Sequence, residues 1–83
     1  MSDLTDLRNI GPRSSDWLNS VGIRTVEDLE EIGIVEAYLR TKKAYPDRVS
    51  LNLLYGLQAA MLDIDWKHLP ERMKRDLRNQ VGK

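Results

Sequence analysis

The chain has 83 residues, 41% of them hydrophobic and 31% charged, with thirteen basic and thirteen acidic side chains that cancel. That length holds one small domain, burying about 60% of the surface its unfolded chain exposes, and the composition excludes a disordered chain. With no cysteine there is no disulfide framework and no thiolate metal site, and the charge balance is not that of a strong non-specific DNA binder.

Met1-Ser2-Asp3 lacks the basic and apolar regions of a signal peptide, and no apolar run approaches ~20 residues. A cytoplasmic location and no membrane partner are expected. Charge is unevenly spread: residues 1–37 hold eight acidic and three basic side chains, residues 38–83 five acidic and ten basic. The halves either pair within the fold or turn opposite faces to partners, and ordinary surface patterning gives the same counts.

The pattern predicts helices throughout. Ser2 can cap a first short helix that turns Leu4 and Leu7 inward. Asn9-Ile10-Gly11 ends it, because Asn tolerates the left-handed conformation and Gly prefers it. Pro12 opens a second helix through Trp17, Leu18 and Val21, with Gly22 as its stop. Thr25 with Asp28 reads as the cap of a third helix carrying Val26, Leu29 and Ile32 and stopping near Gly33.

A fourth helix comes at once, from about Ile34 to Ala44, with Val35, Tyr38 and Leu39 as apolar contacts. Tyr45-Pro46-Asp47 makes a loop, and Ser50 caps a fifth helix from Leu51 to about Leu62. That helix is apolar nearly all round, so it should be the buried central element, with Gly56 and the alanines allowing close approach. Asp65 starts a brief turn holding Trp66 and Leu69, and Pro70 opens a last helix with Met73, Leu77 and Val81 inward. The expected fold is all-α: a single compact domain over residues 1–83, built on two helix-hairpin-helix-like units plus a central and a C-terminal helix.

A shift of 22 residues superposes Leu4 on Val26, Asp6 on Asp28, Leu7 on Leu29, Ile10 on Ile32, Gly11 on Gly33 and Trp17 on Leu39. This predicts two hairpins about a pseudo-two-fold axis. Arg13 and Ser14 fall on Val35 and Glu36, so only the first hairpin retains phosphate chemistry.

Residues 7–18 and 21–29, Glu36-Ala37-Tyr38, residues 49–55 and Trp66-Lys67-His68-Leu69-Pro70 together resemble the C-terminal domain of the TfoX/Sxy proteins. The resemblance covers almost the whole chain. It implies an all-helical domain related to helix-hairpin-helix folds. The better-known members regulate natural competence alongside a cyclic-AMP-dependent transcription activator and carry an N-terminal α/β domain as well. A stand-alone version of the C-terminal domain is therefore expected, without catalytic residues.

The first hairpin also resembles the DNA-binding pattern Gly-Ile-Gly-Pro-Lys-Thr-Ala of repair enzymes, with Asn9 for the first glycine, Arg13 for lysine, Ser14 for threonine and Ser15 for alanine. On this reading the amides of Gly11 and Arg13, the Arg13 guanidinium and the Ser14 hydroxyl hold a phosphate. The alternative is that Gly11 only makes the turn and Arg13 pairs with Asp16. On the last helix Arg72, Lys74, Arg75 and Arg78 suggest a patch for a phosphate backbone or acidic partner, or else a solvated face with internal salt bridges to Glu71 and Asp76.

Lone His68, the Asp63/Asp65 pair and the lack of a nucleotide loop or zinc spacing give no catalytic, cofactor or metal site. Trp17 and Trp66 read as core anchors before base-stacking platforms. Two functions remain. One is a non-enzymatic regulatory module that contacts a transcription or competence protein, or a second copy of itself. The other binds a nucleic-acid backbone through Gly11, Arg13 and Ser14 with Arg72, Arg75 and Arg78.

Overall fold

Capping side chains, prolines and left-handed residues divide residues 3–82, those described in the computed structural model, into five α-helices and two 3-10 turns. Among the described residues there is no strand. Ser2, the expected first cap, lies outside them. Asp3 does that work: its carboxylate accepts from the Thr5 amide and hydroxyl, both at 3.0 Å. These bonds hold the Asp3 carboxyl below its ordinary value. The element that Asp3 opens is a single 3-10 turn, Leu4–Asp6, in place of the expected short helix.

The chain reverses at Asn9, whose φ is 75°, and not at Gly11, whose φ of −91° any residue adopts. Gly11 instead caps α1, Pro12–Ser20, with Pro12 at its first position as predicted. The helix stops in a Schellman motif: the Gly22 amide binds Asn19 O (3.1 Å) and the Ile23 amide binds Leu18 O (2.9 Å). Leu18 and Ile23, the two side chains this motif brings together, are both fully buried.

Thr25 caps α2, Val26–Ile32, by accepting from the Asp28 amide at 3.1 Å, and Asp28 reaches back to the Arg24 amide at 3.1 Å. Gly33 (φ 89°, ψ 151°) joins α2 to α3, Ile34–Ala44. Beyond the loop, Ser50 caps α4, Leu51–Met61, through the Asn52 amide. A second Schellman motif ends α4. The Asp63 amide binds Ala60 O and the Ile64 amide binds Ala59 O, with Asp63 at φ 56° where glycine is usual. Asp65 caps the second 3-10 turn, Trp66–His68, and Pro70 precedes α5, Glu71–Val81. Both members of the Asp63/Asp65 pair thus have backbone roles.

The central position of α4 is a consequence of its sequence: Leu53 through Leu57, with Ala59 and Ala60, are buried against α3, α5 and the second 3-10 turn. The neighbour that approaches Gly56 is a turn and not a helix, since a Cβ there would meet Asn9 O at 3.7 Å. Around α4 the core gathers Leu4, Leu18, Ile23, Leu29 and Val49, all at most 2% exposed, with Leu77 from α5. Leu39, expected inside, is 40% exposed; Leu62 lies one residue past α4 and is 45% exposed. Leu39 therefore does not take the inward place of its predicted repeat partner, Trp17, which packs half-buried against the core.

Asp3 and Thr25 pair in an antiparallel bridge. They are 22 residues apart, the period of the repeat, and each caps its own element. The turns break the relation: Gly33 has positive φ, whereas Gly11 does not.

Candidate functional site

The first hairpin presents its predicted residues unequally. Gly11 and Arg13 are exposed, and Ser14 is half-buried. The first helical bond of α1 runs from the Ser15 amide to Gly11 O at 3.0 Å, leaving the Arg13 and Ser14 amides without a helical acceptor. Arg13 has no ion pair with Asp16 or any other acid among the described residues.

On α5 the basic residues separate. Arg72 and Arg75 are exposed, but Arg78 donates to Tyr55 Oη (3.0 Å) and to Glu71 Oε2 (3.3 Å). The Tyr55 bond, with the Glu71 bond behind it, holds the Arg78 guanidinium above its ordinary pKa. Lys74 lies with Nζ 5.6 Å from the Tyr55 ring centre and 6.0 Å from that of Trp66. Arg78 and Lys74 are thus committed to aromatic partners of the fold.

Three ion pairs among the described residues follow no single direction between the two charge halves. Glu36–Arg40 joins an acid of the first half to a base of the second, but Arg78–Glu71 lies within the second and Arg8–Asp63 runs the opposite way.

A concavity lies on the α1 side. A cleft of about 280 Å³ opens between the Asn9–Trp17 segment, the first turns of α4 and Trp66. Ile10, Leu53 and Leu57 give it an apolar base; Ser14, Asn52 and Arg48 supply polar groups. No acidic side chain lines it. Trp66, expected as a core anchor, is 39% exposed at its edge; Trp17 is half-buried against Tyr45, ring centres 6.1 Å apart.

Two side chains, each through two hydrogen bonds, brace the cleft's walls. Asn9 Nδ2 donates to Ile64 O (2.8 Å) and its Oδ1 accepts from the Trp66 amide (3.1 Å), tying the N-terminal turn to the turn that carries Trp66. Lys42 Nζ donates to Pro46 O (2.8 Å) and Val49 O (2.6 Å), the carbonyls that bracket Arg48. Lys42 also lies in the last turn of α3, where its charge complements the helix dipole.

The TfoX C-terminal domain model matches residues 1–81. The chain belongs to the TfoX C-terminal domain family. Two crystal structures described as proteins of unknown function from Listeria monocytogenes share its fold. The triclinic form gives a TM-score of 0.87 at 32% identity, covering 96% of this chain and 90% of that one. The tetragonal form gives 0.84 at 34% identity, covering 92% and 93%. No curated protein matches.

In this TfoX C-terminal domain the predicted Ser14 lies on the cleft wall and Arg13 is exposed outside its lining, while Arg78 is drawn into the fold. Arg48, Trp66 and Asn9 carry cleft geometry that the sequence did not single out. A tryptophan flanked by Asp65 and Lys67 was the available signal for Trp66. Nothing local marks Arg48. Among the described residues no three His, Cys, Asp or Glu side chains gather as a metal site, and no helix is long and apolar enough to cross a membrane.

Proposed function

We propose that this domain is a non-enzymatic regulatory and interaction module that works by protein–protein contact in a transcription or DNA-linked setting, as its likeness to competence regulators suggests. It needs no cofactor and acts in the cytoplasm. The observation that carries the reading is the acid-free cleft beside an exposed Trp66. Aromatic residues and arginine at the edge of a small concavity are the side chains that most often anchor protein contacts.

A tagged chain is the test, used to recover partners from a nuclease-treated extract of the source cells, with Arg48→Glu in parallel. A partner that survives nuclease and is lost with Arg48→Glu supports the reading. A partner that disappears with nuclease contradicts it.

The second reading is direct binding of a nucleic-acid backbone through Gly11, Arg13 and Ser14 with the basic face of α5. The guanidinium groups of Arg13, Arg72 and Arg75, exposed and without an ion pair among the described residues, favour it. It predicts binding that weakens steeply with salt and is lost in Arg13→Glu.

A further inference from the structure

We propose that the cleft binds an extended acidic segment of a partner protein, with a carboxylate on Arg48 and an apolar side chain against Trp66 and Trp17. The inference rests on the reading of the domain as a protein-contact module and names the chemistry of the partner.

Charge comes first. Acids make up thirteen of the 83 residues, yet none lines the cleft, and Asp47, the neighbour of Arg48, is not among its walls. The Arg48 guanidinium is exposed and has no side-chain partner among the described residues. A carboxylate arriving there meets a charge that the fold has left uncompensated, and it displaces no internal ion pair.

Preorganisation comes second. The two Lys42 bonds hold the backbone on both sides of Arg48, and the Asn9 bonds hold the turn that carries Trp66. The loop carrying Arg48 and the turn carrying Trp66 are therefore fixed before any partner arrives, which lowers the ordering cost of binding.

Size comes third. At about 280 Å³ the cleft falls just below the roughly 300–1,000 Å³ of typical small-molecule sites, which suits one apolar side chain and its charged neighbour. A polynucleotide backbone asks for several phosphate contacts, and one arginine on the wall does not supply them.

The test is an NMR titration of the full isotope-labelled chain. The probe is a short synthetic peptide with a leucine–tryptophan pair flanked by glutamates, beside a twin in which glutamines replace the glutamates. The acidic peptide is expected to shift the Trp66 indole and the Ser14, Arg48 and Asn52 amides together, binding about tenfold more tightly than its twin. Arg48→Glu, on the exposed surface, should keep the spectrum of the fold and lose that preference. A lysine-flanked version should bind the variant better than the acidic peptide does.

Equal binding of the two peptides, an unchanged preference in Arg48→Glu, or shifts at Leu39 and Leu62 instead of the cleft overturns the inference and leaves the protein-contact reading standing. No shift with the acidic peptide, together with cleft shifts on adding single-stranded DNA, overturns both.

Discussion

Asn9 Oδ1 accepts the backbone N–H of Trp66 at 3.1 Å, joining residues 57 apart in sequence. The same side chain donates to Ile64 O at 2.8 Å while its own backbone sits in the left-handed region. Asn9→Ala loses both bonds and adds left-handed strain, for an expected loss of about 2–4 kcal/mol. Asn9→Gly loses the bonds but relieves the strain, and should cost about 1–2 kcal/mol. Urea denaturation of the two variants checks the order. Equal stability in both would contradict the left-handed strain, and an Asn9→Gly variant as stable as the parent would contradict the two bonds.

Gly11 and Gly33 look alike in the repeat and differ in backbone. A Cβ would meet nothing within 4 Å at either position, so only φ separates them. Gly33→Ala at φ 89° should cost about 1–3 kcal/mol. Gly11→Ala should stay within about 1 kcal/mol of the parent, since a weaker cap is offset by a less flexible unfolded chain. Thermal unfolding of the pair reads this difference directly.

Asp63 occupies the left-handed position that ends α4. Its contact with Arg8 is long, 3.8 Å, and both side chains are exposed, so the ion pair contributes little. Asp63→Gly should therefore stabilise the domain by about 0.5–1 kcal/mol, seen as a higher urea midpoint. A lower midpoint would mean that the Arg8 contact outweighs the backbone strain.

Tyr38 is 6% exposed, and burial, with Tyr55 nearby, pushes its hydroxyl above the ordinary 10.0. The folded state therefore retains a proton that the unfolded chain has released. The Tyr38 contribution is complete below pH 10.0 and is lost as pH rises through the raised value. Alkaline denaturation should be less steep in Tyr38→Phe than in the parent. Identical pH dependence in the two would contradict a raised value for Tyr38.

Helix boundaries were legible because their signals are local. Thr25 with Asp28, Pro12, Gly33, Ser50 and Asp65 each act within a few residues of the bond they make. The burial of α4 was legible because an all-round apolar helix has few other places to go. Leu39, Leu62 and Trp66 were misplaced because apolar character favours burial without requiring it. The latch from Asn9 to Ile64 and Trp66 was invisible, since nothing nearby in sequence indicates a bond across 55 or more residues. The repeat was informative in a limited way: its 22-residue shift matches the spacing of the Asp3–Thr25 bridge, but it does not give the handedness of each turn.

The claim that this domain works through protein contact, and not through a phosphate backbone, is tested most directly by residue-resolved NMR. Short duplex and single-stranded DNA are titrated into the labelled chain at low and moderate salt. The account predicts no salt-dependent shifts at Gly11, Arg13 and Ser14, or at Arg72 and Arg75. Shifts at those residues that appear at low salt, fade as salt rises and vanish in Arg13→Glu would contradict it.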